Sequence, residues 1–270
     1  MSRPEPLAPG SEARPGVLFQ DERQAQIVLR VLERGRVDVS DLAAEFGVTG
    51  ETIRRDLTEL QQERLVRRVH GGAVPWRGSV IVPRLEVREG HNAVEKRRIA
   101  KAAAAEVPQS GSIIIDSGST ALQLADVLDR ERELVVITNH VPIIRSLSTT
   151  ERPEVIVLGG ALQRRSMAFV DETGVDALRD MVVDVAFIGC DGMSASNGFT
   201  TPFREEVALK RAIIAAARRV VMMFDHSKVG TEQLFRFAEV GEVDMIYTDT
   251  GVDLPTAAIL EEQGPGVVRV

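Results

Sequence analysis

Apolar residues recur at helical spacing in the N-terminal part of the chain, and this pattern predicts three amphipathic helices. The first is expected over residues 21–34 and the second over residues 38–46. In the third, Ile53, Leu57 and Leu60 recur at i, i+4 and i+7, so they should face a common core.

Helix-ending residues and a change of period follow these helices. Asp38 is a predicted N-cap of the second helix, Gly47 ends that helix, and Thr49 can cap the third through its hydroxyl. Residues 65–70 then alternate apolar and basic side chains before a Gly-Gly pair. A helix, a glycine turn, a second helix and a basic hairpin are the layout of a winged helix-turn-helix.

The surface of the third helix and of the hairpin is predicted to be basic. Arg54 and Arg55 lie on the outer helix face, and arginine suits base edges and phosphates in a major groove. Glycines at the hairpin tip permit close approach to a phosphate backbone, where His70 either contacts phosphate or shapes the turn. The alternative is an ordinary solvated helix face. The predicted DNA contacts are Thr49, Glu51, Thr52, Arg54, Arg55, Thr58, Arg67, Arg68, His70, Gly71 and Gly72.

The remaining chain alternates short apolar runs with helical segments, a rhythm that predicts an α/β domain with a doubly wound, mainly parallel sheet. The helical segments are residues 96–107, 121–128 and 204–217. The strand-like runs are rich in β-branched residues and cover residues 112–115, 134–137, 155–158, 185–188, 220–224 and 245–247.

Residues that follow the strands are the candidate ligand site, because ligands of such sheets bind beyond the carboxyl ends of the strands. The first exit reads DSGST, where a glycine turn, backbone N–H groups of a new helix and three hydroxyls suit a phosphate. The alternative is ordinary N-capping by Ser119 or Thr120.

The other strand exits are polar or rich in glycine, which favours a pocket for a polyhydroxylated ligand. Lys210 and Lys228 are the candidate cations for its phosphate, although either could be a surface lysine. The predicted ligand residues are Asp116, Ser117, Gly118, Ser119, Thr120, Thr138, Asn139, Gly159, Gly160, Asp191, Glu206, Lys210 and Lys228.

Composition fits a cytoplasmic two-domain protein. The chain has 270 residues, 44% of them hydrophobic, and its single cysteine, Cys190, excludes a disulfide framework. No apolar stretch reaches the ~18 residues that span a bilayer, so no membrane association is predicted. The histidines lack metal-ligand spacing and no nucleotide-binding fingerprint is present, so neither a metal nor a cofactor is expected.

The formal charge of −7 is distributed unevenly along the chain. Residues 64–98 contain nine Lys or Arg against three Glu, a local charge of +6, while the acidic excess lies mostly after Ile99. Such asymmetry directs the basic region toward DNA and lets the larger domain repel it, although a solvated linker can be basic by chance.

Motifs in a fixed order identify a resemblance. ETIRRDL at residues 51–57 and RRVHGGA at residues 67–73 resemble the DeoR family of bacterial transcriptional regulators. The resemblance continues through EKRRIA, DSGST, TN, LGG, GCDG and LKRA, which are similar to that family's sensor domain, and it covers roughly residues 20–250. One departure is ALQRRSMAFVDETG after Gly160, where family members more often carry Gly-Pro near Val170.

The resemblance implies a sensor domain with the fold of ribose-5-phosphate isomerase that binds phosphorylated sugars. An isomerase would need a carboxylate base and a cation, roles that Asp191, Glu206 and Lys210 could fill. Attachment to a winged helix favours sensing over catalysis, since catalysis would destroy the signal.

We therefore expect a sequence-specific DNA-binding regulator, not an enzyme: a repressor of carbohydrate-related genes that is released from its double-stranded operator by a phosphorylated metabolite. One winged helix buries too little surface to select a genomic site, so a homo-oligomer is expected. The expected organisation is a disordered tail (1–18), the winged helix (19–74), an extended linker (75–92), the sensor domain (93–255) and a helix and strand that complete it (256–270).

Overall fold

The structure, a computed structural model, describes residues 19–63, 65–76 and 85–270. The chain divides into two compact units, Met1–Ile81 and Val82–Val270. The predicted tail and three of the counted arginines, Arg64, Arg77 and Arg84, lie outside the described residues.

The first unit is the predicted winged helix-turn-helix. Its three strands form one antiparallel sheet in the order β1-β3-β2. The elements are α1 (Gln20–Arg34), β1 (Val37–Asp38), α2 (Val39–Phe46), α3 (Gly50–Gln62), β2 (Val66–Val69) and β3 (Gly72–Pro75).

The apolar stripe of α3 forms the centre of the first unit's core. Ile53, Leu57 and Leu60 are almost fully buried and pack with residues of α1, α2 and the sheet. Thr49 caps α3 as predicted, since its Oγ1 accepts a hydrogen bond from the backbone N–H of Thr52 at 3.2 Å. Asp38 occupies the N-cap position of α2, but its carboxylate accepts from Arg36 and makes no capping bond.

A buried ion pair that the sequence did not reveal joins α1 to α3. The Arg23 guanidinium donates from Nε to Asp56 Oδ2 at 2.6 Å and from Nη2 to Asp56 Oδ1 at 3.1 Å. Asp56 is 1% exposed, and Gln24 also donates to it. The pair fixes α1 across the back of α3 and leaves the outer face of α3 free.

The second unit is an α/β domain. Its elements are α4 (Leu85–Gly90), α5 (Ala93–Ala103), β4 (Ser110–Ile115), α6 (Ser119–Val127), β5 (Glu133–Thr138), α7 (Val141–Leu147), β6 (Glu154–Val157), β7 (Leu162–Gln163), β8 (Ala168–Phe169), α8 (Glu172–Leu178), β9 (Val185–Gly189), β10 (Gly192–Ser194), β11 (Gly198–Thr201), α9 (Arg204–Ala216), β12 (Val220–Met223), β13 (Phe235–Ala238), β14 (Met245–Thr248), α10 (Leu254–Glu261) and β15 (Gly266–Arg269).

Seven strands form a parallel sheet in the order β15-β14-β12-β9-β4-β5-β6. The predicted fold class is thereby confirmed. Alternation along β4 shows why apolar runs are continuous here: Ile113 and Ile115 enter the core on one face, and Ile114 enters the core on the other. The small sheet β10-β11-β13 and the hairpin β7-β8 were not predicted.

The direction in which successive strands are added to the sheet reverses between β4 and β9. After β4 the chain proceeds to β5 and β6 on one side, whereas β9, β12, β14 and β15 lie on the other. A crevice opens at such a switch point, outside the carboxyl ends of the two strands. The exits of β4 and β9 are therefore the expected place for a ligand.

The predicted extended linker, residues 75–92, contains a short helix. Residues 77–84 lie outside the described residues, but α4 forms a helix within the predicted range. Leu85 is 2% exposed, and its backbone N–H donates to the Arg165 carbonyl within the same unit. This buried apolar residue therefore stabilises a helix where the spacing of proline and glycine indicated a linker. No helix in the described part of the chain is long and apolar enough to cross a membrane.

Candidate functional sites

The outer face of α3 presents two arginines to solvent. The Arg54 side chain is 55% exposed and lies 3.0 Å from Glu51 Oε2, and the Arg55 side chain is 76% exposed and lies 3.3 Å from Glu59 Oε1. Exposed pairs of this kind contribute little stability, typically below about 1 kcal/mol. Both guanidinium groups can therefore exchange these partners for a phosphate or a base edge.

Thr58 on α3 helps to position the wing, the hairpin of β2 and β3. The Thr58 hydroxyl donates to the Arg54 carbonyl at 2.7 Å and accepts from Arg68 Nη1 at 2.8 Å. The backbone N–H of Arg68 also donates to Gln61 Oε1. These bonds fix β2 against α3, so Arg68 and Thr58 are held together beside the arginines of the helix.

The two positions at the wing turn require glycine for different reasons. Gly71 has a φ of +77°, a conformation that favours glycine, and it is exposed together with His70 and Arg67. Gly72 is buried, and a Cβ there would lie 1.9 Å from the carbonyl oxygen of Val37. Close packing of β1 against β3 therefore requires this glycine, and its contact with DNA stays a prediction.

A polar cavity of the second unit lies at the sheet's switch point. It brings together residues that follow β4, β9 and β12 with residues of α4, α5 and α9. Four predicted residues at the ends of β5 and β6 do not line it: Thr138, Asn139, Gly159 and Gly160. The predicted residues that line it are Ser117, Gly118, Ser119, Thr120, Asp191, Glu206, Lys210 and Lys228.

Two hydroxyls at the start of α6 face this cavity. Ser119 and Thr120 are 7% and 8% exposed, and neither hydroxyl is bonded to any other described residue. The N-cap position is Gly118 at φ +135°, and no side chain caps α6, so the capping alternative does not explain the two hydroxyls. Together with the N–H groups of the first turn they form a set of donors without acceptors, which is suited to an anion.

Lys210 is already paired. Its Nζ lies 2.5 Å from Asp116 Oδ2 and donates to the Gly189 carbonyl at 3.0 Å. Burial by itself would lower the pKa of Lys210, but the carboxylates of Asp116, Glu206 and Asp191 together outweigh it and raise the pKa above its usual value. Lys210 therefore ties the DSGST segment to the exit of β9 and remains charged.

Carboxylates also line the cavity. Glu206 is 6% exposed, and its Oε2 accepts from the Thr201 hydroxyl at 2.7 Å. Burial raises the pKa of Glu206 to about 7, since the nearby positive charge of Lys210 only partly offsets the burial and Asp191 adds a like charge. Glu206 and Asp191 can accept hydrogen bonds from ligand hydroxyls.

Two cavity cations, Arg88 and Lys96, were missed because they lie before the first strand of the sheet. Lys96 is 3% exposed, and its Nζ donates to the Arg88 carbonyl at 2.6 Å and lies 3.6 Å from Asp225 Oδ2. Burial lowers the pKa of Lys96 to about 8 in spite of Asp225. The EKRRIA motif contained a signal for Lys96, whereas Arg88 fell in the predicted linker.

Lys228 differs from the other cavity cations in its pairing. It is half-buried in the short 3-10 helix His226–Lys228 that follows β12, and no described carboxylate lies within ion-pair distance of its Nζ. Cys190 also lines the cavity, and burial raises the pKa of its thiol to about 12. Lys228 is thus the cation most available to a bound anion.

A winged helix-turn-helix joined in one chain to an α/β domain with a polar cavity defines a DNA-binding regulator with a ligand-sensing domain. Two family models match the chain: the DeoR-like helix-turn-helix domain over residues 23–76 and the DeoR C terminal sensor domain over residues 91–250. The chain belongs to the DeoR family of transcriptional regulators, as its motifs indicated.

Curated relatives agree with this assignment. The putative aga operon transcriptional repressor of Escherichia coli O157:H7 is 30% identical over 251 residues, 92% of this chain and 93% of the relative. The glycerol-3-phosphate regulon repressor of Escherichia coli K12 is 31% identical over 243 residues, 90% and 96% of the two chains. Relatives of this kind are regulators, and the protein is a regulator and not an isomerase.

Among solved structures, ribose 5-phosphate isomerase A from Methanocaldococcus jannaschii is similar at a TM-score of 0.38 and 20% identity, over 51% of this chain and 55% of that chain. So distant a similarity carries no inference about the cavity.

Proposed function

We propose that this regulator is a repressor that holds its operator through α3 and the wing and releases it when a polyol or sugar phosphate binds the cavity. The observation that carries the proposal is the pair of hydroxyls of the buried residues Ser119 and Thr120, which line the cavity with no partner among the described residues. A phosphate supplies several oxygens that can accept from both at once.

The cavity is lined both by donors suited to an anion and by carboxylates suited to hydroxyls, which supports an effector with two chemical ends. Its phosphate would lie at the start of α6, where N–H groups, two hydroxyls and the unpaired Lys228 converge. Its hydroxyls would donate to Asp191 and Glu206. The relatives named for a glycerol-3-phosphate regulon and an aga operon are consistent with effectors of this class.

The DNA side of the proposal rests on exposed cations. Arg54 and Arg55 would read base edges in the major groove, while Arg67, Arg68 and His70 of the wing would contact phosphates. We further propose that a homo-oligomer in the cytoplasm binds repeated half-sites, because a single winged helix offers a small interface. Light scattering that found only monomer, with and without operator, would contradict the oligomer.

The effector is tested by a thermal-shift and calorimetry screen of glycerol 3-phosphate, ribose 5-phosphate and hexose phosphates, with the unphosphorylated polyols as controls. A compound that binds only the folded protein raises its stability by mass action. Binding of the protein to the DNA upstream of its own gene, measured by fluorescence anisotropy, should weaken when the same compound is added.

Variants locate the phosphate. Lys228→Ala should weaken binding by about tenfold, since it removes one charge-assisted contact, and Thr120→Val should weaken it by a smaller factor. Lys101→Ala is the matched control, because Lys101 is an exposed lysine of the same unit that does not line the cavity. The proposal fails if no phosphate ester binds, or if Lys228→Ala and Lys101→Ala bind equally well.

A further inference from the structure

The short helix α4 is fastened to the second unit at both ends. At its start, the buried Leu85 donates its backbone N–H to the Arg165 carbonyl at 3.2 Å. At its end, Lys96 Nζ donates to the carbonyls of Arg88 and His91. One buried ammonium group therefore holds the backbone at the C-terminal end of α4.

The turn after α4 rests on the end of β12. Asn92 has a φ of +49°, and its side-chain amide donates to Asp225 Oδ1 at 2.8 Å. The same fully buried carboxylate lies 3.6 Å from Lys96 Nζ. Asp225 thus fixes the position of the turn, and with it the direction in which α4 runs along the cavity.

The Arg88 side chain, in contrast, is incompletely satisfied. It lines the cavity and is 14% exposed, and its Nη1 lies 3.6 Å from Asp191 Oδ1, which is longer than a hydrogen bond. The buried Nε of Arg88 has no hydrogen-bond partner among the described residues. Asp191 meanwhile accepts a hydrogen bond from the Thr201 hydroxyl at 3.3 Å. A buried guanidinium N–H without an acceptor is costly, and the planar guanidinium is suited to two oxygens of one anion.

We propose that Arg88 is a ligand of the effector's phosphate and that phosphate binding draws it from Asp191 and fastens α4 to the cavity. The inference rests on the proposed function, since it requires an anion at the start of α6. In chain order α4 follows residues 77–84, which connect the two units, so the helix that contacts the anion is also the one next to the connection. Arg88 would then report occupancy of the cavity to the rest of the chain.

Hydrogen–deuterium exchange of the full-length protein tests the two claims separately, with inorganic phosphate as the probe at constant ionic strength. Amides at residues 117–121 report the anion site, and amides at residues 85–90 report α4. In the wild type, phosphate should slow exchange in both segments. Absence of slowing at residues 117–121 would contradict the proposed function. Slowing there without any change at residues 85–90 would overturn the present inference alone.

Variants of the Arg88–Asp191 pair give opposite results if the inference is correct. Arg88→Gln should need about tenfold more phosphate to slow residues 117–121 and should lose the effect at residues 85–90. Asp191→Asn removes the competing carboxylate, so less phosphate than in the wild type should slow both segments. A purely structural ion pair predicts the same result for both variants: faster exchange of α4 and no response to phosphate there.

Two further variants keep the test interpretable. Arg88→Lys retains the charge but not the bidentate geometry, so it should respond with an affinity between those of the wild type and Arg88→Gln. Arg98→Gln is the control, because Arg98 is an exposed arginine of α5 that pairs with Glu95 outside the cavity. It should match the wild type. Equal responses of Arg88→Gln and Arg98→Gln would refute the role of Arg88.

Discussion

Glu206 should make the sensor domain lose stability as pH rises from mildly acidic to neutral. Burial raises the pKa of Glu206 from 4.5 to about 7, so the folded domain keeps the proton over a pH range in which the unfolded chain has released it. The folded state then binds more protons than the unfolded state, and the free energy of unfolding falls with increasing pH. Below pH 4.5 both states are protonated, and above pH 7 both are ionised, so the loss is confined to that window.

The size of the effect follows from the two pKa values. Each pKa unit corresponds to ~1.36 kcal/mol, so Glu206 should cost about 2–3 kcal/mol more at pH 8 than at pH 5. Glu206→Gln retains an oxygen that can accept from the Thr201 hydroxyl but carries no charge. The variant should therefore match the wild type near pH 5 and be more stable by about 2–3 kcal/mol at pH 8.

Urea unfolding followed by circular dichroism between pH 5 and pH 8.5 measures this difference. The fluorescence of Trp76, the single tryptophan of the chain, which packs on the core of the first unit, separates unfolding of that unit. Glu205→Gln is the matched control, because Glu205 precedes Glu206 on α9 and is exposed. A stability gain of Glu206→Gln that does not change with pH, or one shared by Glu205→Gln, would refute the assignment of the titration to Glu206.

Three further predictions concern other residues. Asp56→Ala leaves Arg23 buried without its carboxylate and should lower the free energy of unfolding of the first unit by about 3–5 kcal/mol, measured by Trp76 fluorescence; a loss below about 1 kcal/mol would contradict the structure. Arg54→Ala should relax sequence preference at a cost of about 1–3 kcal/mol, whereas Arg67→Ala should weaken binding to all sequences and reduce the salt slope by about 1; identical salt slopes in both variants would argue against separate roles. Cys190 should react slowly with iodoacetamide at pH 8 in the folded protein and quickly in urea, because burial raises the pKa of its thiol to about 12; fast labelling of the folded protein would show that the cavity admits solvent more freely than described.

The sequence predicted the sheet well because its inner parallel strands are buried on both faces. A run such as residues 113–115 is apolar at every position, and such runs are recognisable without knowledge of their neighbours. The winged helix was predictable for a related reason, since the spacing of Ile53, Leu57 and Leu60 determines which face of α3 is buried and which remains for DNA.

The cavity was only partly predictable because the order of the strands in the sheet differs from their order along the chain. Polar residues follow β5 and β6 as they follow β4, but β5 and β6 lie beyond β4, on the side of the sheet away from β9. Neighbouring strands are ~4.8 Å apart, so Asn139 and Gly160 are displaced from the switch point by one and two strand spacings. Only the three-dimensional arrangement shows that the exits of β4, β9 and β12 share the cavity.

Arg88 shows a second limit of the sequence. Pro75, Gly78 and Pro83 precede it and are typical of a linker, so the segment was interpreted as connection. The short α4 has no strong apolar period, and it is stabilised by a contact with Arg165, which is remote in sequence, and by Lys96, which belongs to the next helix. Local patterns cannot predict a helix that depends on such contacts.

The ion pairs of the cavity have a consequence for how the protein responds to its surroundings. Lys210, Lys96 and Arg88 each lie beside a carboxylate, so the cavity is close to electrically balanced although cations line it. A phosphate that enters exchanges partners within a shielded space, and its affinity should depend only weakly on ionic strength. Binding of DNA to the exposed arginines of α3 and the wing releases counterions and depends on salt steeply. A rise in salt concentration should thus weaken operator binding while the affinity for the proposed metabolite stays nearly constant. Ionic strength and metabolite supply would then act on the same promoter through separate parts of one chain.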